Sequence, residues 1–350
     1  MTVKLPAEQA TAILDRMDRP LSSLRVSVVD RCDLRCTYCM PEDDYTWLPK
    51  KDILSLDEVA TLVDAFAESG VVKVRLTGGE PLLRKGLTEL VRHLSRNPRI
   101  EDLALTTNAT QLARFAAPLW AAGLQRVTVS LDSLVPDRFA KLTRRPVLDQ
   151  VLSGIRAAAS ANFEEFKINT VVMKGFNDDE LVDLIEFGRE VGAEVRFIEY
   201  MDVGGATQWT KEKVVSRMDI LAHLEDHFGR VIVEDDQGSA PAQRFVLADG
   251  TRFGIVASVT RPFCSTCDRS RLTADGMWYL CLYGRDGVDL KEILRSGGSR
   301  DELVAAIQCG WEQRADRGAE ERLATPSRGV FYQVEELKLD PHREMHTRGG

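Results

Sequence analysis

Three cysteines near the start of the chain could hold a metal cluster. Cys32, Cys36 and Cys39 have the spacing C-x3-C-x2-C and directly follow an apolar, strand-like segment. Three thiolates on one loop can bind three irons of a 4Fe–4S cube, which leaves the fourth iron open to a small molecule. Structural zinc usually takes four ligands, and the histidine closest in sequence is His93. This first cysteine group therefore indicates an iron–sulfur cluster.

A second cysteine group, Cys264, Cys267 and Cys281, has the spacing C-x2-C-x13-C. From spacing alone, a zinc site or a structural hairpin clip stays open here, because the seventh cysteine or a histidine could add a fourth ligand. Arg269 and Arg271 lie within this group, two residues apart. In an extended segment they point to the same side, where two guanidiniums form a phosphate clamp.

Alternating strand and helix patterns are expected to position these loops. Residues 55–69 predict a helix with Ser55 as N-cap, Glu58 at the capping-box position and Gly70 as the stop. Repeated βα units imply a parallel sheet, in which ligands bind at the carboxyl ends of the strands. The predicted strands cover residues 24–29, 71–76, 103–107, 127–131, 166–173 and 195–200.

The pattern changes after residue 203. Short strands at 231–233, 244–247 and 252–256 follow one another in hairpin style, and Asp249-Gly250 and Asp275-Gly276 are turn signals. We therefore expect two domains, a core at 1–215 and a C-terminal domain at 216–350. Residues 1–22 predict a mobile arm or a surface helix.

Composition excludes several classes of protein. The 350 residues include 44% hydrophobic and 29% charged residues, which is globular composition, and the net charge is −8. This acidic balance argues against a general nucleic-acid binder, so a polyanionic ligand would need a local cluster of cations. No apolar stretch approaches the roughly 20 residues of a spanning helix. The first 20 residues lack the apolar core of a signal peptide, and we expect a cytoplasmic protein without a membrane partner.

The first cysteine group, with Tyr38 before its third cysteine, resembles the signature of the radical S-adenosylmethionine superfamily. Thr77-Gly-Gly-Glu80-Pro resembles its GGE motif. The resemblance implies an open (β/α)6 partial barrel of the α/β class. It also implies reductive cleavage of S-adenosylmethionine to methionine and a 5′-deoxyadenosyl radical, which takes a hydrogen atom from the substrate. The cofactor contacts that it implies are Tyr38, Gly79, Glu80, Ser130 and Met201.

The second cysteine group and several strand-end runs resemble one subfamily, the GTP 3′,8-cyclases of molybdenum-cofactor biosynthesis. The resemblance covers almost the whole chain and includes the terminal Gly349-Gly350. It implies two 4Fe–4S clusters, the second of which binds guanine through its open iron, and ring closure between the ribose 3′ carbon and C8. The GTP contacts that it implies are Arg25, Arg75, Thr106, Lys167, Arg269, Ser270 and Arg271.

Further residues could add to this site. Lys73, Arg144-Arg145 and Arg196 could join the cations around the triphosphate. The resemblance implies that the diglycine tail enters the active site, where Arg348 could meet phosphate. We expect Cys309 to be a buried structural thiol, because free cysteines are often buried.

Two alternatives stay open from the sequence. A radical enzyme with an auxiliary cluster could act on a peptide, although such relatives usually carry more C-terminal cysteines. A non-enzymatic zinc or regulatory protein is the other alternative. The cyclase resemblance further implies an electron donor, a homodimer, and a downstream cyclic pyranopterin monophosphate synthase that receives the product.

Overall fold

The computed structural model describes residues 12–234 and 238–349. These residues form one twelve-stranded sheet with the order β12-β11-β10-β1-β2-β3-β4-β5-β6-β9-β8-β7. The strands are β1 Ser23–Ser27, β2 Lys73–Thr77, β3 Asp102–Thr107, β4 Arg126–Ser130, β5 Glu165–Val172, β6 Glu194–Glu199, β7 Ile232–Glu234, β8 Gln243–Val246, β9 Arg252–Val256, β10 Arg269–Leu272, β11 Met277–Tyr279 and β12 Val288–Asp289.

The first six strands are the centre of the sheet. β1 to β6 pair with one another in chain order and all in parallel. The sheet stays open, since the outer side of β1 pairs with β10 and that of β6 pairs with β9. This confirms the open (β/α)6 partial barrel. The helices that follow these strands are α1 Leu56–Glu68, α2 Leu87–Leu94, α3 Leu112–Ala121, α4 Pro136–Thr143, α5 Leu148–Ala159 and α6 Leu181–Val191.

The helix α1 forms because its first turn is capped and one of its faces is apolar. Ser55 and Glu58 make the expected capping box at the start of α1, and Phe66 of that helix is completely buried. The core lies between the helices and the outer face of the sheet, where strand residues such as Leu24 and Val26 are also completely buried. This packing leaves the opposite face of the sheet to form a cavity.

The C-terminal part of the chain extends the barrel sheet at both edges. β8 pairs in antiparallel fashion with β7 and β9, and β11 does the same with β10 and β12. Gly250 and Gly276 have φ values of 88° and 89°, as the two predicted turns require. The sequence predicted the hairpins. It did not predict that β9 would pair in parallel with β6, or β10 with β1. The domain boundary at residue 215 stays a prediction.

The remaining helices lie in this C-terminal part. They are α7 Arg217–Phe228, α8 Leu290–Arg295, α9 Arg300–Glu312, α10 Gly318–Ala324, α11 Val334–Leu339 and α12 Met345–Arg348. In the described part of the chain, every helix is too short or too polar to cross a membrane.

The prediction of a mobile arm or surface helix is wrong for residues 12–22. Leu14 and Pro20 form an isolated antiparallel bridge, and Asp15 and Arg19 between them are buried. The Nε of Arg19 donates to Asp15 over 2.6 Å, so the turn contains its own ion pair. Arg19 also donates to the carbonyls of Cys264 and Asp316, and such contacts with distant segments leave no signal in the local sequence pattern. Residues 1–11 of the predicted arm lie outside the described residues.

A buried carboxylate at the end of β6 anchors the C-terminal segment. Asp202 accepts hydrogen bonds from Arg322 over 2.6 Å, from Arg328 over 2.7 Å and from the hydroxyl of Tyr283 over 2.9 Å. Burial alone would raise the pKa of Asp202, but the two guanidiniums outweigh it and hold that pKa below its usual value. The barrel and the segment that covers it are therefore joined by a charged contact away from water.

We expect Asp202→Asn to lower the free energy of unfolding by up to about 3 kcal/mol, because it leaves two partly buried guanidiniums without a counter-charge. Chemical denaturation of the two proteins measures this difference. Asp179→Asn is the matched control, since Asp179 pairs with Arg138 at the surface and its side chain is 62% exposed. The control should change stability little. Equal losses in both variants would contradict an anchoring role for Asp202.

Candidate active site

One cavity of about 740 Å³ lies against the inner face of the sheet, and both cysteine groups border it. The strands present every second residue to it, as the two-residue period of a strand requires. On β4 these residues are Arg126, Thr128 and Ser130, and on β5 they include Lys167 and Asn169. The two loops that could hold clusters therefore face each other across a polar sheet surface.

The first cysteine group lies on the loop after β1, in backbone contact with the Gly-Gly turn after β2. The amide of Gly79 donates to Val29 over 2.8 Å, and a Cβ at Gly79 would lie 2.3 Å from the carbonyl oxygen of Arg31. Only glycine allows this approach. The Tyr38 hydroxyl donates to Asp132 over 2.9 Å and fixes the loop against β4.

The chemistry of the first group fits a cluster. All three thiols line the cavity, and Cys32 Sγ accepts hydrogen bonds from the Leu34 amide at 3.5 Å and from Asn108 Nδ2 at 3.8 Å. Burial raises the pKa of Cys32 to about 12 and also raises those of Cys36 and Cys39. Thiolates in such a place need a bound cation, which iron would provide.

Four of the predicted cofactor contacts line the cavity: Tyr38, Gly79, Ser130 and Met201. Glu80 does not. Its buried carboxylate accepts hydrogen bonds from Thr107 over 2.7 Å and from the amides of Leu82 and Asn108 over 2.9 and 2.7 Å. Burial raises its pKa to about 7. Glu80 therefore braces the turns after β2 and β3 and does not line the cavity, and its contact with the cofactor stays a prediction.

The second cysteine group borders the other side of the cavity and differs in its electrostatics. Burial raises the pKa of Cys281 to about 12. Burial acts in the same direction on Cys267, but Arg269 and Arg314 outweigh it and lower the pKa of that thiol. A thiolate at Cys267 is thus stabilised by neighbouring cations even before a metal binds.

A row of arginines crosses the sheet between the two groups. Arg271 on β10 is the register partner of Arg25 on β1, which is in turn the partner of Arg75 on β2. Burial, followed by the charges of neighbouring arginines, lowers the pKa values of all three. Like charges held together away from water favour the binding of an anion.

The row continues into polar side chains on β3 to β5. Arg75 donates to Thr106 over 3.2 Å and to Thr128 over 3.1 Å, and Lys167 pairs with Glu165. Burial lowers the pKa of Lys167 to about 8. These residues, with Lys73 and Arg196, all line the cavity.

Arg269 lies at the cavity wall, and its side chain is held there by an aromatic ring. Its guanidinium stacks on Phe263 at 4.6 Å, and its Nε and Nη2 atoms have no hydrogen-bond partner among the described residues. Ser270, between the two arginines, does not lie at the cavity wall, and its contact with GTP stays a prediction. The alternation of β10 turns its side chain to the core face with Leu272, where it is 1% exposed and does not line the cavity.

Three other predictions are corrected. Arg144 pairs with Asp43 outside the cavity, and its neighbour Arg145 does not line the cavity either. The Arg348 guanidinium donates to the carbonyls of Leu282 and Gly284 over 2.9 and 2.7 Å, so it holds the loop after Cys281 and does not line the cavity. Cys309 is exposed, because α9 buries Leu303, Ile307 and Trp311 on its other face.

The tail reaches the site. Gly349 lies against Thr77, where a Cβ would come within 2.3 Å of that side chain, and its carbonyl accepts a hydrogen bond from Arg271. Gly350 lies outside the described residues.

Several residues around the site were missed from the sequence. Glu165 lines the cavity one strand period before Lys167, and Arg126 lies two periods before Ser130, so the alternation of β4 and β5 could have identified both. Asn108, by contrast, lies at a strand end where a ligand site was expected, and it donates to Asp33 over 2.7 Å beside the first cysteine group. His346 also lines the cavity, and no periodic signal pointed to it.

The fold and the first cysteine loop define a radical S-adenosylmethionine protein. The Radical SAM superfamily model matches residues 26–188. The fold is similar to that of SuiB from Streptococcus suis bound to S-adenosylmethionine, with a TM-score of 0.57, 17% identity and coverage of 89% of this chain and 72% of that one.

The second half of the chain identifies the subfamily. The Molybdenum Cofactor Synthesis C model matches residues 193–320. GTP 3′,8-cyclase 1 of Mycobacterium tuberculosis is 55% identical over 97% of this chain and 95% of its own length. GTP 3′,8-cyclase of Acidothermus cellulolyticus is 44% identical over 95% of both chains. The chain belongs to the GTP 3′,8-cyclase family, whose members carry two 4Fe–4S clusters, and this membership does not favour the peptide-modifying alternative.

Proposed function

We propose that this chain converts GTP into (8S)-3′,8-cyclo-7,8-dihydroguanosine 5′-triphosphate, the first step of molybdenum-cofactor biosynthesis. The observation that carries the proposal is the cavity itself. Two cysteine groups border it, and buried cations line the sheet between them. This arrangement suits a reaction in which one cluster serves the cofactor and the other holds an anionic nucleotide.

In this proposal the first cysteine group holds the cluster that binds S-adenosylmethionine, beside Tyr38, Gly79, Ser130 and Met201. When bound, the cluster and cofactor supply the radical that takes the 3′ hydrogen atom. The protein orients the cofactor through the Gly-Gly turn, whose backbone can approach a ligand closely. Tyr38, held by Asp132, keeps the cysteine loop against the sheet and restricts access of water to the cavity.

The second cysteine group holds the substrate-binding cluster in this proposal. Arg269 and Arg271 clamp the phosphates, and Arg25 and Arg75 extend the cationic surface along the sheet. Thr106 and Lys167 lie at the end of the row, where Thr106 orients Arg75 and Lys167 adds a charge. The ribose is thereby placed between the two clusters, which orients its 3′ carbon toward the cofactor.

The family also suggests the setting of the reaction. We infer a cytoplasmic homodimer that receives electrons from a separate donor. Its product would pass to a cyclic pyranopterin monophosphate synthase.

Isotope transfer tests the reaction. Deuterium at the 3′ position of GTP is expected in 5′-deoxyadenosine after anaerobic incubation of the reconstituted protein with reductant and S-adenosylmethionine. Mass spectrometry reads both the label and a nucleotide isomer of GTP. ATP is the matched substrate control and should give no cyclised product. Label retained in the nucleotide product would refute abstraction at this position.

The two cysteine groups should separate in function. Alanine at any cysteine of the first group should abolish 5′-deoxyadenosine formation and lower the iron content from about eight to about four per chain. Alanine in the second group should also leave about four irons, but cofactor cleavage should continue without cyclised product. Cys309→Ala is the control and should retain both clusters. Full product yield from all second-group variants would show that this group is only a structural clip.

The phosphate clamp should distinguish GTP from guanosine. Arg269→Ala and Arg271→Ala should each weaken GTP binding by about 1.5–3 kcal/mol, because a charged hydrogen bond to phosphate is lost. Guanosine binding should change much less, and Arg144→Ala, outside the cavity, should leave both affinities unchanged. Anaerobic titration calorimetry measures these affinities. A similar loss for GTP and guanosine would rule out the clamp.

A further inference from the structure

Two buried arginines from distant parts of the chain hold the Cys264–Cys267 loop. Arg19 donates from Nη1 to the carbonyl of Cys264 over 2.9 Å, and Arg314 donates from Nη1 to the carbonyl of Cys267 over 2.8 Å. Both side chains are only 1% exposed. The two residues therefore give the loop equivalent backbone support, one at each cysteine.

Arg314 makes one contact that Arg19 lacks in the described part of the chain. Its Nη2 atom donates to the sulfur of Cys267 over 3.5 Å. The guanidinium is fixed in this direction by Asp316, which accepts from Nε over 3.1 Å, and by the ring of Trp311, on which it stacks at 4.4 Å. The N–H bond is therefore aimed at the sulfur by the surrounding structure.

Hydrogen bonds to cluster sulfurs are one of the means by which a protein sets a reduction potential. Reduction adds negative charge to the cluster, so a donor at a thiolate stabilises the reduced form more than the oxidised form. Asp15 and Asp316 compensate much of the charge of Arg19 and Arg314. The directed hydrogen bond is then the main difference between the two arginines.

We propose that Arg314 is a positioning residue that orients Cys267 and raises the reduction potential of the second cluster. This inference rests on the proposed function, in which Cys267 is a ligand of that cluster. The potential determines the oxidation state in which the cluster meets GTP. Arg314 thus acts on the substrate-binding cluster from outside the cavity.

The experiment compares Arg314→Met, Arg314→Lys and Arg19→Met in the full chain after anaerobic reconstitution. Each is made in the intact protein and in a chain whose first cysteine group is replaced by alanine, so that only the second cluster gives an electron paramagnetic resonance signal. Iron content and a redox titration of that signal are measured. Arg314→Met should shift the midpoint potential to a more negative value, Arg314→Lys should shift it less in the same direction, and Arg19→Met should leave it unchanged.

The possible outcomes distinguish a failure of the proposed role of Arg314 from a failure of the cluster assignment. An unshifted potential in Arg314→Met, or an equal shift in Arg19→Met, overturns the role of Arg314. If Arg314→Met loses its iron, Arg314→Lys decides, and an unshifted potential there overturns the proposal. If the parent chain without the first group binds no second cluster, the cluster assignment under the proposed function is wrong, and the inference falls with it.

Discussion

Three arginines lie side by side across three strands of the site, and their like charges repel one another. The parallel pairing of β1 with both β2 and β10 places Arg25 between Arg75 and Arg271. Arg75 donates to Thr106 and Thr128, and Arg271 donates to the carbonyl of Gly349. An anion with several charges compensates the row most fully. This acidic protein can therefore bind a polyphosphate through a local cluster of cations. The register of three strands brings these cations together.

The two cysteine loops differ in the charged groups that surround their thiols. Around the first group the thiols are buried near carboxylates, and their pKa values are raised. Around Cys267 the neighbours are guanidiniums, and the pKa is lowered. Burial raises the pKa values of Cys264 and Cys281, so the difference between the two groups lies at Cys267. The positive charge around that one thiol suits a loop that receives an anionic nucleotide.

The sequence predicted what depends on local pattern and spacing. The six parallel strands, the capped helix α1 and both hairpin turns follow from periodicity and turn residues, and the cavity contains both cysteine groups. Contacts between distant segments were not predictable. The orientation of Ser270 was predictable, because the alternation that puts Arg269 and Arg271 on one side of β10 puts Ser270 on the other. The hydrogen bonds of Glu80 were not, because they come from loops that no local pattern could place beside it. The buried positions of Arg19 and Arg314 depend on packing across almost the whole chain.

The pairing of β1 with β10 also has a consequence for the order of folding. Ser23 is the register partner of Arg269, so one edge of the barrel is completed only by residues that are translated long after β1. The other edge is completed when β9 pairs with β6. Until both arrive, the nascent barrel has two open parallel edges, which are templates for pairing with other chains. Contacts so distant in sequence also form slowly. The two edges are therefore exposed during translation, before the residues that complete them have been made.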